Sequence, residues 1–378
     1  MPEALPTPRD ILSHAPFRRP AVAVSGGVDS LRALLECVEA GLSPIAVHAL
    51  FHHAPEDEIE LVDGLAGCCD TLGVPLYLFD LREDFADAVI RPFARDYREG
   101  RTPNPCARCN RAMKFGLLMD AGLAFGADGF LTGHYAALSF DGVGEGEPPL
   151  LCRAADSAKD QSYFLSLVPR DRLASVRFPL AGCDKAGTIR TVREAGLVVP
   201  AKEESQEICF IEPGPEHYRH FLEEEWRRQG LSLPQPGPIV LREPSGEDRV
   251  VGRHEGLWRY TEGQRQGIGV PWTEALYVTG KEAATDTLLV GTKAQARLRG
   301  VVAGELAVHL AGGQLPGRAL VRLRYRQAPA PATLTPDGEK LRVELDEPGT
   351  LTAPGQIVAI YDEKGRVIAG GIIESLLR

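Results

Sequence analysis

The stretch Ala21-Val22-Ala23-Val24-Ser25-Gly26-Gly27-Val28-Asp29-Ser30 decides how this chain is read. Its first five residues form a short apolar run of buried-strand type, and from Leu31 to Ala40 apolar residues recur at helical spacing. A strand, a Gly-rich turn and a helix in that order make an anion site. Two glycines let the backbone approach a ligand, the next amides open the helix, and its dipole favours negative charge. Ser25 and Ser30 add hydroxyl donors, and Asp29 is placed to hold Mg2+ beside phosphates. A bare Gly-Gly turn would read as a turn and nothing more; the flanking Ser and Asp reverse that reading. No Gly-Lys-Ser/Thr follows, so this is not the loop that transfers a γ-phosphate.

Working outward, the alternation continues. Pro44 to Leu50 and Pro75 to Leu81 read as further strands, Glu58 to Leu72 as a helix, and Asp128 to Thr132 as another strand. Phe85 to Tyr97 and Arg111 to Phe125 read as helices. The pattern predicts an α/β fold with a parallel, doubly wound sheet, its ligand outside the carboxyl ends of the strands. From about Pro213 the texture changes to a polar helix, His217 to Gln229, and then to frequent Pro and Gly. Beyond Tyr277 come short β-rich segments: Leu288 to Val290, Leu320 to Tyr325, Leu341 to Leu345, Ile357 to Tyr361 and Val367 to Ile373. These read as a small antiparallel β-barrel or sandwich, with the barrel preferred. The expected domains are 1–212, a small central domain over 213–296, and the barrel over 297–378.

Composition narrows the class. The chain has 378 residues, 44% hydrophobic and 25% charged, with no apolar run long enough to cross a membrane. Residues Met1 to Pro20 lack the apolar core of a secretory signal and read as a loosely ordered lead-in. A net charge of −10 excludes a nonspecific nucleic-acid coat, but not RNA bound through a local basic patch. Eight cysteines without a signal point to a reducing cytoplasmic setting, where close cysteine pairs do chemistry or bind metal.

Of those eight, Cys106 and Cys109 lie in Asn104-Pro105-Cys106-Ala107-Arg108-Cys109-Asn110, with Arg101, Arg108, Arg111 and Lys114 around them. Cations lower a thiol's pKa, so a reactive thiolate is expected here. A redox disulfide, half a zinc site and incidental packing are the competing readings, and the absence of a matching second pair argues against zinc. Cys209 sits far away in Glu207-Ile208-Cys209-Phe210-Ile211. Cys37, Cys68, Cys152 and Cys183 fall in helix or strand patterns and read as inert.

These pieces converge on one family. Across nearly its whole length the chain resembles the tRNA-specific 2-thiouridylases. The resemblance rests on Ser25 to Ser30, Gly100-Arg101-Thr102-Pro103-Asn104-Pro105, Cys109-Asn110, Thr132-Gly133-His134-Tyr135 and Lys159-Asp160-Gln161-Ser162-Tyr163-Phe164-Leu165. Further matches are Ile208-Cys209-Phe210-Ile211, Gly263-Gln264-Arg265, Arg324-Tyr325-Arg326-Gln327 and Pro354-Gly355-Gln356. The resemblance implies that ATP lies against Ala23, Val24, Ser25, Gly26, Gly27, Val28, Asp29 and Ser30, with Ala49 and Gly133. ATP would adenylate O2 of a wobble uridine. A persulfide on Cys209 would supply sulfur, and Cys109, attacking it, would release hydrosulfide and leave a Cys109–Cys209 disulfide for reduction. It further implies contacts from the tRNA anticodon loop to Asn104, Pro105, Cys106, His134, Lys159, Asp160, Gln161, Arg324, Tyr325 and Gln356. The implied partners are a sulfur donor, such as a cysteine desulfurase or relay protein, and a disulfide reductant. From the residues alone, Lys159 to Gln161 is a solvated polar turn, and Arg322, Arg324 and Arg326 are a one-sided strand stripe suited to a phosphate backbone.

The chain departs from that family at Cys106, where many members carry Asp. Cys106, Cys109 and Cys209 also resemble the trio by which related tRNA thiolases hold a [4Fe-4S] cluster, so relay and cluster both stand. Before Cys209 the sequence is Glu204-Ser205-Gln206-Glu207, and Leu50-Phe51-His52-His53 lacks the usual Met and Trp.

Overall fold

The computed structural model describes residues 6–52, 55–144, 146–201, 208–212, 214, 216–243 and 247–378. Strand Ala21–Ala23 runs through the middle of a five-stranded sheet. The strand order is Leu76–Asp80, Ile45–Leu50, Ala21–Ala23, Phe130–Thr132, Val176–Arg177. All four pairings are parallel.

Alternation explains the burial. Ala21, Ile45, Val47, Ala49 and Phe130 enter one core on one face, while Val22, Val24, Ala46 and Leu131 enter another on the opposite face. Both faces are therefore covered, as the near-continuous apolar strands require. The chain order reverses between Ala21–Ala23 and Phe130–Thr132. At that switch point the segments that leave the strand ends are Ser25 to Ser30 on one side and Gly133 to Tyr135 on the other.

Two of the expected helices are broken. Arg82–Phe85 and Arg91–Arg98 flank a π-helical turn, Ala86–Ile90, closed by Arg91 N–H donating to Ala86 O. Pro92, which has no N–H, follows at once. The second runs from Pro105–Cys109 through a π-helical stretch, Asn110–Leu118, to Met119–Ala124. Such wide turns recur at functional sites.

The N-terminal segment departs from its reading as a loose lead-in. Pro8–Ser13 is a helix with a Thr7–Asp10 capping box, and Leu12 is buried in the core with Leu31 and Leu34. The Arg18 and Arg19 amides bond the Asp128 carboxylate.

The strand Thr287–Gly291, grouped in sequence with the barrel segments, belongs instead to a central four-stranded sheet. It lies between Tyr277–Glu282 and Gly237–Arg242, with Asp248–His254 at the far edge. The barrel itself closes with six antiparallel strands: Arg297–Val308, Lys340–Thr350, Ala330–Asp337, Arg318–Arg322, Ile357–Tyr361 and Val367–Leu377. All five residues of Ile357–Tyr361 are buried, because the strand separates two cores. Val358 and Ile360 fill the barrel, while Ile357, Ala359 and Tyr361 pack on the parallel-sheet domain.

Candidate active site

The Gly-rich loop leaves the sheet at Val24 and enters helix Val28–Glu39 with Gly27 as its N-cap. Gly26 has φ +80, and a Cβ there would meet Leu61 Cδ1 at 2.3 Å, so glycine is needed twice over. The amides of Val28 and Asp29 open the helix and have no partner one turn back. No turn bond among the described residues uses those of Gly26 or Gly27. Ser30 Oγ is engaged within the loop: it donates to Gly27 O at 2.8 Å and accepts from Ser25 N at 3.1 Å. Gly133 lets the end of the neighbouring strand touch this loop, since a Cβ would stand 2.5 Å from the Asp29 carbonyl carbon. Ala49, nearly buried, lines the same sheet face as Val47.

Sequence reading missed a group that lies on Asp29. Lys185 Nζ donates to both Asp29 carboxylate oxygens at 2.8 Å, and Tyr135 OH donates to Oδ1 at 3.0 Å. Lys185 opens helix Lys185–Glu194, N-capped by Asp184, which packs on the loop's own helix. An Asp followed by Lys at a helix start was the available signal. The Asp29 carboxylate, an oxygen donor, suits Mg2+, which would take the place this ammonium fills.

The cysteine segment is built by a cap. Asn104 Oδ1 accepts from Ala107 N at 3.1 Å, and Pro105 starts the helix, so Cys106 lies in the first turn. Cys106 is exposed and Cys109 buried. Cys209 is exposed on a tight turn closed by Ile211 N–H to Ile208 O at 3.0 Å. Phe210 pins that turn, its ring 5.6 Å from Phe85, 5.4 Å from Phe93 and 5.3 Å from Phe221. Phe210 and Cys109 share a small core with Phe85, Val89 and Met113, which brings two segments 100 residues apart together.

The thiols are not activated as expected. Burial pushes Cys109 up to about 12, offset in part by Lys114 and reinforced by charge on Cys209 or Cys106. Cys106 and Cys209 reach the surface as residues, yet their thiols are also raised, first by desolvation among the surrounding groups. The arginines that crowd the sequence are turned to carboxylates. Arg101 lies 2.6 Å from Asp96, and Arg108 lies 3.8 Å from Asp96 and 3.5 Å from Glu305. Arg111 lies 3.7 Å from Glu305. Lys114 alone of the four cations acts on the thiols. Among the described residues, no three His, Cys, Asp or Glu side chains converge as a metal site. The three thiols do lie close enough for charge on Cys209 or Cys106 to raise Cys109 and for charge on Cys106 to raise Cys209.

Burial, aided by Lys114, holds His134 well below the usual imidazole range, so its ring is neutral at pH 7; Nδ1 lies 2.7 Å from Thr132 Oγ1. Asp160 is buried, contrary to a solvated turn. It accepts from Ala154 N and Ser162 N at 3.1 Å and from Arg322 at 2.7 Å. Gln161 Oε1 accepts from Tyr135 N at 2.9 Å, while Lys159 is half-buried nearby. The arginine stripe does not form. Its strand ends at Arg322, which is buried on Asp160, and Arg324 turns to Leu351 O. Tyr325 lies 4.4 Å from the Phe164 ring, and Asn110 Nδ2 donates to Phe164 O at 3.1 Å. Gln356 donates to Thr102 O at 2.9 Å and Pro103 O at 3.2 Å, directly before Asn104. The barrel thus braces the cysteine segment. Cys37, Cys68 and Cys69 are buried, and Cys152 and Cys183 half-buried, all with raised thiol pKa values. The acidic run 204–207 and His53 lie outside the described residues.

Comparison with known proteins gives the same order of parts. A family model described as a tRNA methyl transferase HUP domain matches residues 18–213. A tRNA methyl transferase PRC-barrel domain matches 227–292, and an aminomethyltransferase beta-barrel domain matches 296–373. The tRNA-specific 2-thiouridylase MnmA of Oleidesulfovibrio alaskensis is 46% identical over 362 residues, covering 94% of this chain and 99% of its own. The protein of that name from Nitratidesulfovibrio vulgaris (strain Miyazaki F) is 44% identical, covering 93% and 98%. Among solved structures, a 4-thiouridine synthetase–RNA complex with bound ATP covers 50% of this chain at TM-score 0.33, a likeness too slight to carry an argument. With relatives this similar over nearly the full length of both chains, the protein belongs to the tRNA-specific 2-thiouridylase family.

Proposed function

We propose that the protein is a tRNA uridine 2-sulfurtransferase: it adenylates O2 of a wobble uridine with ATP and replaces that oxygen with sulfur. The observation that carries this reading is the docking of the Cys209 turn against Cys109 in a chain whose Gly-rich loop suits pyrophosphate. The matched family description speaks of methyl transfer, but methyl transfer needs neither a paired thiol nor an ATP pyrophosphatase loop.

The chain's own groups account for each step. Gly26, Gly27 and the opening amides of helix Val28–Glu39 receive the β- and γ-phosphates, with Asp29 as the residue that would hold Mg2+. Mg2+ would neutralise developing phosphate charge. Attack of uridine O2 on the α-phosphorus expels pyrophosphate. The Cys109 thiolate then attacks the inner sulfur of a Cys209 persulfide and releases hydrosulfide. Hydrosulfide adds at C2, AMP leaves, and the Cys109–Cys209 disulfide awaits reduction. The high thiol pKa of Cys109 fits a resting state that is not yet reactive, with tRNA binding completing the site. Sulfur would come from a cysteine desulfurase or relay protein. We place the relay ahead of a [4Fe-4S] cluster because the chain belongs to the 2-thiouridylase family, and the cluster on Cys106, Cys109 and Cys209 is the rival route. We further propose that residues 1–212 carry this chemistry while 213–296 and 297–378 present the tRNA. Among the described residues, no helix is long and apolar enough to cross a membrane.

The test is pyrophosphate release from ATP, stimulated by tRNA and not by a small amide, with 2-thiouridine read in the product. Cys109→Ser and Cys209→Ser each abolish thiolation while sparing tRNA binding; normal turnover by either sinks the assignment. Four irons per chain after anaerobic purification would shift the sulfur route to the cluster.

A further inference from the structure

Only two non-glycine residues among those described have a left-handed backbone, Asp286 at φ 47 and Glu305 at φ 46. Aspartate tolerates that region through local hydrogen bonds, whereas glutamate has no such help. Glu305 stands in a bulge. Strand Arg297–Val308 pairs with Val367–Leu377 through Gly304 with Ile372 and resumes at Ala307 with Gly370, so two residues oppose one. The bulge aims the Glu305 carboxylate across the domain boundary at the cysteine helix, 3.5 Å from Arg108 and 3.7 Å from Arg111.

These contacts are poor for such a backbone. They are longer than charge-assisted hydrogen bonds, and the Glu305 side chain is 52% exposed, where ion pairs contribute little. Strain held for a weak contact points to a function for that contact. Arg111 has no other ion pair among the described residues, and Arg108 has only the distant Asp96, which Arg101 holds more closely.

Arg108 immediately precedes Cys109 and Arg111 follows two residues later. A uridine whose C2 meets these thiols carries its own phosphodiesters within one nucleotide's length. Two guanidinium groups therefore stand where that backbone must pass, on a protein whose net charge of −10 makes local cations necessary for RNA. Phosphate suits the planar guanidinium fork better than a carboxylate held at 3.5 Å.

We propose that Arg108 and Arg111 form a phosphate site for the RNA backbone beside the thiols, and that Glu305 occupies it until RNA displaces it. This rests on the tRNA reading above. The carboxylate keeps the two arginines from holding unrelated anions, and only a strand seated at the cysteines pushes it aside.

The test is tRNA affinity across a salt series for the full-length protein and the variants Glu305→Gln, Glu305→Gly, Arg111→Gln and Arg111→Gln/Glu305→Gln. Both Glu305 variants are expected to bind tRNA roughly twofold to fivefold more tightly, the range of an exposed ion pair. Glycine also accepts the left-handed backbone, so that variant serves if Glu305→Gln folds poorly. Arg111→Gln binds more weakly, with a salt slope flatter by about 0.7, one single-strand phosphate contact. In the double variant the tightening shrinks. Weaker binding with a lower melting temperature in both Glu305 variants would mark an ordinary bridge between barrel and helix and overturn the proposal, as would unchanged affinity in both. Failure of the thiolation reading shows separately, in the unsubstituted protein, as pyrophosphate release that ignores tRNA.

Discussion

Lys185 Nζ lies 2.8 Å from each carboxylate oxygen of Asp29, so the acidic group of the Gly-rich loop is neutralised by a residue 156 positions away. A lysine ammonium and a divalent cation compete for the same oxygens. The loop acid is therefore held in a closed charge pair, with Tyr135 supplying a third contact and Thr188 holding the Tyr135 hydroxyl at 3.1 Å.

Removing that competitor should open Asp29 to metal. Lys185→Met is expected to bind Mn2+ in the absence of ATP several-fold more tightly than the unsubstituted protein, read by electron paramagnetic resonance titration. Equal affinity in the two would mean that Lys185 does not guard the carboxylate.

Cys109 should react slowly in the free protein. Its folded pKa, about 12, lies above the ordinary 9.0, so alkylation by iodoacetamide is expected to keep rising with pH beyond 9. Peptide mass spectrometry follows the rate; a plateau below pH 8 contradicts the burial argument. The sign for stability follows from the same shift. The folded protein holds this proton more tightly than the unfolded chain, so the contribution is intact below 9.0 and is lost as pH climbs toward 12.

Phe210 holds the Cys209 turn through three aromatic neighbours. Phe210→Ala should cost about 3 kcal/mol locally, the low end for a half-buried ring, and slow diamide-driven Cys109–Cys209 disulfide formation at least about tenfold, because the turn that carries Cys209 loses its anchor. Non-reducing peptide maps give the rate, and an unchanged rate would show that another contact positions the turn.

Arg322 and Asp160 make a buried cross-domain pair at 2.7 Å. Arg322→Met leaves the carboxylate buried, with Arg153 at 3.6 Å as its remaining cation. The expected loss is about 2–5 kcal/mol. Adding Asp160→Asn should recover part of it in denaturant melts, and an undiminished loss in the double variant would argue against an uncompensated charge.

Much of the fold was legible because its signals are local. The run from Ala21 to Ala40 encodes strand, loop and helix within one stretch, and Ile357–Tyr361 appears where apolar β-type residues predict it. Boundaries failed where a backbone detail intervened, as at the π-helical turns beside Pro92 and Gly116. The strand that Arg324 and Arg326 were expected to extend ends at Arg322, which turns inward to Asp160.

The candidate site was legible as residue types and not as states. Cys106, Cys109 and Cys209 could be named from sequence, yet four nearby cations predicted lowered thiol pKa values where desolvation raises them. Counting charges along the chain ignores the carboxylates that meet them in space, here Asp96 from the preceding helix and Glu305 from the barrel.

By itself, then, the sequence determined the parallel sheet, the Gly-rich turn between its strand and helix and the barrel's strand-rich character, since periodicity and turn chemistry act over a few residues. Tertiary structure alone decided that the turn carrying Cys209 packs through Phe210 on the core that holds Cys109, that Lys185 closes on Asp29, and that Asp160 is a buried brace. Each of these joins segments more than 90 residues apart, and such contacts follow from how whole domains pack.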